Sequence, residues 1–315
     1  MSFNSGDSKC TKWFRVRINL SFSQTSHFIL NSSDWHRVGS EESINCDDRF
    51  IDVDCPLGDD MRRQILSVFW DESIGGGSLF VGTQSAGVAR LQGLKSIMET
   101  GTIEQMQDLR WEWINTGLGS ETGRIIPEIK KRNGVLYCLL TGNAPYYNNT
   151  NDVGIYEFNH TNSSWEHKRG SIIRHPSIDE SFSLWAYPTS FDIDQSRNLW
   201  LADIEANGNY LASGIWKSSN DGDSWDRMQQ FTFPYHITAV GDRIYASGGR
   251  SISHIGNAGW GDGGAFHSDD NGTTWAKNEV LPLLSNLNSV VVDPTDGTKV
   301  FYTFFGGGLL HGPKP

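Results

Sequence analysis

The chain has 315 residues and a formal net charge of -11, from 26 Lys and Arg against 37 Asp and Glu. This acidic balance argues against an electrostatic nucleic-acid surface, and no apolar stretch of the sequence reaches the roughly 20 residues of a membrane span. With 34 Gly, 12 Trp and only 20% charged residues, the composition favours many short strands joined by tight turns over a helical enzyme.

Residues 1–60 are the least regular part of the sequence. Trp13–Leu20 alternates polar and apolar residues as one strand would, and Trp35–Val38 resembles the end of another. The acidic residues between Asp47 and Asp60 lack the ligand spacing of a calcium loop. We therefore predict an irregular N-terminal segment that contributes a strand to the rest of the chain, and no metal site or cofactor.

The cysteines and the asparagine sequons are relevant to the cellular location of the protein. Cys46 and Cys55 are spaced to bridge a loop, whereas Cys138 lies in an apolar run and is predicted to be a core residue. Met1–Thr11 is too polar for a signal peptide. Six Asn-x-Ser/Thr triplets favour the extracellular space or the secretory pathway, with a cytoplasmic location left open. They begin at Asn19, Asn31, Asn148, Asn159, Asn162 and Asn271.

From residue 61 a pattern of four strands recurs at about 50 to 60 residues, a period typical of propeller blades. Each unit has an apolar strand, a second strand that ends in a turn of small residues, a third that opens with Gly, and a fourth that contains Trp. The fourth-strand tryptophans are Trp111, Trp165, Trp225 and Trp275. The first unit carries an insertion over Leu94–Gln107 that we predict to include a short helix. The fifth unit, from Ser289, ends without a fourth strand.

Two hairpin tips share one motif. Residues 268–275 read Ser-Asp-Asp-Asn-Gly-Thr-Thr-Trp, and residues 218–225 read Ser-Ser-Asn-Asp-Gly-Asp-Ser-Trp. Polar Asp or Asn, Gly and small hydroxyl residues suit a tight turn between strands. The pattern resembles the Asp-box, or bacterial neuraminidase repeat, of sialidases, family 74 xyloglucanases and sortilin-type receptors. That resemblance implies an all-β propeller, with Asp270 closing its turn and Trp225 and Trp275 buried in their blades.

We therefore predict one all-β domain over residues 61–315, a single propeller of about five four-stranded blades. Because an open sheet edge invites aggregation, the strand missing from the fifth blade is expected to come from Trp35–Val38 or Trp13–Leu20. Two alternatives stay open: six blades, if residues 11–38 form most of another, and one half of a two-propeller protein, since residues 300–312 resemble the close of family 74 enzymes.

The candidate site lies in the long loops of one face. Propeller topology places the connections between second and third strands, and the links between blades, opposite the Asp-box turns, where the resemblance to sialidases implies the substrate site. Loops on a rigid β scaffold commonly carry function. The candidate sugar-contacting residues are Tyr146, Tyr147, Trp185, Tyr210, Arg250 and Trp260, and the candidate catalytic residues are Asp203, Asp262 and His254.

These residues predict a carbohydrate-active, glycoside hydrolase-like propeller with a glycan or other small molecule in its central funnel. Glycoside hydrolysis needs a general acid and a base or nucleophile, both commonly carboxyl groups. The sequence lacks the arginine triad of sialidases and the catalytic-acid segment of family 74, so neither specific activity is transferred. The alternatives are a non-catalytic propeller that binds glycan or protein, and an enzyme of another class that uses the same funnel.

Overall fold

The protein is a five-blade β-propeller built from small antiparallel sheets, with one short helix among the residues that the structure describes. The computed structural model describes residues 65–84, 86–102, 105, 108–119, 124–141, 152–168, 187–204, 213–230, 233–249, 263–278, 287–293, 299–304 and 308–313. Four sheets have four strands each, and the last has three strands among the described residues. The prediction of about five blades is confirmed, and the N-terminal segment lies outside the described part of the chain.

Within each blade the strands follow chain order from the innermost outward. Blade 1 contains β1 (Ile65–Asp71), β2 (Ser78–Thr83), β3 (Val88–Leu91), α1 (Leu94–Thr100) and β4 (Trp111–Trp113). Blade 2 contains β5 (Ile125–Arg132), β6 (Val135–Thr141), β7 (Gly154–Asn159) and β8 (Ser164–His167). The predicted short helix in the insertion of the first unit is therefore present as α1.

The remaining blades repeat this arrangement. Blade 3 contains β9 (Pro188–Ile193), β10 (Leu199–Asp203), β11 (Gly214–Ser218) and β12 (Asp226–Gln230). Blade 4 contains β13 (Pro234–Val240), β14 (Arg243–Gly248), β15 (Gly264–Ser268) and β16 (Ala276–Lys277). Blade 5 contains β17 (Leu287–Val292), β18 (Lys299–Phe304) and β19 (Gly308–Pro313).

The core consists of apolar layers between adjacent blades. Tyr137 and Leu139 of β6 pack against Phe191 and Ile193 of β9, so the second strand of blade 2 faces the inner strand of blade 3. The same relation brings Trp200 of β10 against the inner strand of blade 4. Cys138 is fully buried within such a layer, as predicted.

The two repeated hairpin turns have nearly the same hydrogen bonds. The Ser268 hydroxyl donates to Asp270 Oδ1 at 2.8 Å and accepts from the Gly272 amide at 2.7 Å. In the other turn the Ser218 hydroxyl donates to Asn220 Oδ1, and the Gly222 amide donates to Ser218 Oγ, both at 2.9 Å. Hydrogen bonds from Thr274 and Ser268 lower the pKa of Asp270 to about 2.

Candidate functional site

The loops that hold the predicted site residues all leave from one face of the propeller. A connection between a second and a third strand starts at the same end of the sheet as the link into the next inner strand, because the strands alternate in direction. The loops between β6 and β7, β10 and β11, and β14 and β15, together with the link from β8 to β9, therefore share what we call the loop face. The two repeated turns lie at the opposite face.

Of the predicted site residues, only Asp203 lies within the described part of the chain. Tyr146, Tyr147, Trp185, Tyr210, Arg250, His254, Trp260 and Asp262 lie outside the described residues. Asp203 is the last residue of β10, at the loop face, and is paired in register with Pro188 on one side and Gly214 on the other. Its exposed fraction is 0%.

The position of Asp203 has counterparts in other blades. The second strands of blades 1 and 2 end at the loop face in Thr83 and Thr141, which are also buried. The Thr83 hydroxyl donates to the Gly87 carbonyl at 3.0 Å and accepts from the Ala86 amide at 2.9 Å, so there it stabilises the turn. Blade 3 has a carboxylate where these two blades have a hydroxyl group. Burying a carboxylate costs far more free energy than burying a hydroxyl group.

A second group of polar side chains lines the central channel, on inner strands β5, β9 and β13. At its centre is Glu128, whose side chain is 14% exposed. Its Oε1 lies 2.7 Å from Lys130 Nζ and 3.2 Å from His236 Nε2. Its Oε2 accepts hydrogen bonds from the Ser190 hydroxyl at 2.7 Å and from the Phe191 amide at 2.9 Å. Glu128 thus joins three consecutive blades.

Asp192, on the inner strand of blade 3, also connects blades 2, 3 and 4. Its carboxylate is fully buried and accepts a pair of hydrogen bonds from Arg132, at 2.7 and 3.0 Å. It also accepts from the Thr238 hydroxyl at 3.0 Å and the Ala239 amide at 2.9 Å. Glu128 and Asp192 each satisfy a backbone amide on the inner strand of the following blade, where buried backbone donors need partners.

The electrostatics of this channel cluster keep its carboxylates ionised. Burial opposes the charge of Glu128 by raising its pKa, but the charges and hydrogen bonds of Lys130 and His236 prevail and lower that pKa to about 2. Burial likewise opposes the charge of Asp192, and Lys130 and Arg132 lower its pKa. A general acid must hold a proton near the working pH. Glu128 and Asp192 are therefore suited to fixing the blades and shaping the channel field, and unsuited to donating a proton.

Sequence reasoning placed the site in the loops and did not identify the channel cluster. One signal was available: Glu128, Lys130 and Arg132 are spaced two residues apart along β5, so that they share one side of the strand. Their partners His236 and Asp192 lie far away in the chain, and no local pattern connects them. Among the described residues, no group of three or more His, Cys, Asp and Glu side chains is arranged to hold a metal ion.

No protein-family model matches the chain, and no curated protein matches it. Solved structures with a similar fold include YCF48 bound to D1 peptide, at 12% identity and a TM-score of 0.49, with 90% of this chain and 70% of that chain covered. The extracellular domain of BT4673 from B. thetaiotaomicron is 16% identical, with a TM-score of 0.45, and covers 77% of this chain. The Niastella koreensis GH74 enzyme is 15% identical, with a TM-score of 0.43, and covers 74% of this chain.

This chain spans about a quarter of the length of the BT4673 domain and about a third of the GH74 enzyme, 25% and 34% respectively. At these identities and TM-scores, the similarities concern the fold and carry no information about function. In the part of the chain that the structure describes, no helix is both long and apolar enough to cross a membrane.

Proposed function

We propose that the protein is a carbohydrate-directed propeller whose ligand lies over the loop face, at the mouth of the central channel. The observation that carries this proposal is the fully buried carboxylate of Asp203 at the loop-face end of β10. The loops with the candidate aromatic residues leave from that same face. Aromatic rings beside carboxylates supply the apolar contacts and hydrogen bonds that a sugar ring requires.

In the catalytic form of this proposal, Asp203 and Asp262 are the two acids of a glycoside hydrolase-like site, with His254 as an alternative base. Tyr146, Tyr147, Trp185, Tyr210 and Trp260 stack on sugar rings, and Arg250 binds their hydroxyl groups. An inverting enzyme requires roughly 6.5 to 9.5 Å between its two carboxyl groups, and a retaining enzyme about 5 Å. The separation between Asp203 and Asp262 is the geometry to measure.

A non-catalytic, glycan-binding form is the second candidate, because neither carboxylate of the channel cluster could replace Asp203 or Asp262 as the proton donor. The pKa of Glu128 is about 2 and that of Asp192 is lowered. Neither channel carboxylate is therefore suited to be the proton donor of a hydrolase. In this form Asp203 orders the loop face and accepts hydrogen bonds, and no bond in the ligand is broken.

Release and binding assays with the same variants separate the two forms. Wild type, Asp203→Asn, Asp262→Asn and the control Asp226→Asn, which alters an exposed aspartate of the same blade, are tested on plant, algal and sialylated glycans. Release by wild type and the control, lost in either loop-face variant, supports hydrolysis. Binding without release, weakened at least tenfold by Asp203→Asn, supports the binding form. If folded wild type neither binds nor cleaves any glycan of the panel, the carbohydrate proposal is wrong.

We also infer that turns 218–225 and 268–275 are true Asp-boxes. The inference is supported by their matching serine-centred hydrogen bonds and by Asp221 and Asn271, which have positive φ angles of 60° and 57° immediately before Gly. It is tested by Asp270→Ala, which removes the acceptor of the Thr274 amide and hydroxyl. We expect faster amide exchange in residues 268–275 and an unchanged rate in residues 218–225; equal rates in wild type and variant would contradict it.

A further inference from the structure

The junction between blade 5 and blade 1 differs from the other four. At each of those four, the second strand of one blade packs its apolar residues on the inner strand of the next. Phe80 meets Ile126 and Ile129 at the first junction, and Tyr245 meets Val290 and Val292 at the fourth. The clusters around Tyr137 and Trp200 fill the two junctions between them.

At the fifth junction the corresponding positions of β1 are exposed. Ser67 donates a hydrogen bond to the Ile126 carbonyl, and Phe69 packs with the cluster between blades 1 and 2. Since side chains alternate along a strand, Leu66 and Val68 point to the opposite side, toward blade 5. They are 41% and 44% exposed.

The facing side of blade 5 also has exposed apolar side chains, beside polar residues such as the hydrogen-bonded pair Ser289 and Thr303. Val290 and Val292 pack on blade 4, so Val291 points away from it and is 48% exposed. Val291 is paired with Phe301, and Phe301 with His311, on the same side of the sheet. Leu309, two residues from His311, is 59% exposed. Four of the five exposed large hydrophobic residues that the structure describes thus line this one junction.

We propose that the N-terminal segment, residues 11–38, occupies this junction and packs on both apolar faces, between Leu309 of blade 5 and Val68 of blade 1. Residues 1–64 directly precede β1, which begins at Ile65, so the segment belongs to the part of the chain that is joined to blade 1. Its apolar residues, among them Trp13, Ile18 and Trp35, supply the surface that the two faces lack. Pairing with the outer edge of β19 would cover backbone groups of blade 5 alone, whereas packing in the junction also covers Leu66 and Val68.

Site-specific photo-crosslinking in the full-length protein tests this proposal. A benzophenone amino acid replaces Val68, Leu309 or, as a control, Val240, which is 39% exposed on β13 and lies away from the junction. A benzophenone side chain is apolar, like the side chains that it replaces. After irradiation, we expect crosslinks from positions 68 and 309 to peptides within residues 11–38 of the same molecule, at yields at least fivefold above position 240.

Other outcomes overturn the proposal. Crosslinks between two molecules would identify a second copy of the chain as the occupant, and yields equal to that of the control would show that the faces are open to solvent. Charge substitution gives an independent readout. Val68→Asp and Leu309→Asp should each lower the melting temperature by about 5 °C or more, and Val240→Asp should leave it unchanged. Equal melting temperatures for all three variants would contradict buried packing in the junction.

Discussion

Glu128 is predicted to make the stability of the propeller depend on pH in a defined window. Its pKa in the folded protein is about 2, against an ordinary value of 4.5. Because the folded-state pKa is depressed, the stabilisation is fully present above pH 4.5 and is lost as the pH falls toward 2. A difference of roughly 2.5 pKa units at about 1.4 kcal/mol per unit gives a free energy of roughly 3.5 kcal/mol.

The variant Glu128→Gln isolates this contribution. Gln resembles the protonated form of Glu, so the variant should be less stable than wild type by roughly 3.5 kcal/mol at pH 7. As the pH falls toward 2, wild type loses the same interaction and the difference should shrink below about 1 kcal/mol. Carboxylates outside the channel cluster titrate alike in both proteins and cancel in the comparison.

Urea unfolding measured between pH 7 and pH 2 provides the free energies of unfolding, with equal m-values as the check on two-state behaviour. Glu99→Gln, an exposed glutamate at the end of α1, is the control and should match wild type throughout. A difference between Glu128→Gln and wild type that stays constant with pH would refute the reasoning, as would equal stability at pH 7.

Three further predictions concern the interior. Asp192→Asn leaves Arg132 without its buried counter-charge and should lower the free energy of unfolding by about 3 kcal/mol. This is the lower end for broken buried pairs, because the Arg132 side chain is 36% exposed. In the same urea titration, the control Asp226→Asn should change the free energy of unfolding by less than about 0.5 kcal/mol. Gly272 has a φ of 89°, and in Gly272→Ala the added Cβ would lie 2.5 Å from the Trp200 ring. The control is Gly241→Ala, where φ is 64° and no atom lies within 4 Å of the added Cβ. Gly272→Ala should lower the free energy of unfolding by about 1–3 kcal/mol more than the control, and equal losses of stability in thermal unfolding would show that the turn adapts. Burial raises the pKa of the Cys138 thiol, so mass spectrometry should find Cys138 alkylated in denaturant and unmodified in buffer at pH 8. Rapid alkylation of Cys138 in buffer would contradict its position in the core.

The fold was largely predictable because its signals are local. Four strands per unit, a Gly before most third strands and the two Asp-box-like turns recur within short windows, and each depends on backbone conformations that neighbouring residues select. The helix in the insertion was predicted as well, since no strand period runs through it.

The sequence by itself thus determined the all-β class, the blade period and the hairpin turns, because hydrophobic alternation and turn chemistry act over a few residues. Only the tertiary structure decided that Glu128 meets His236 across the channel and that Asp192 holds Arg132 and the amide of Ala239. It also showed that packing between the described blades leaves Leu66 and Val68 exposed, although the sequence pattern of β1 resembles that of a buried strand. These features depend on strands far apart in the chain that meet only when the blades are arranged around a common axis.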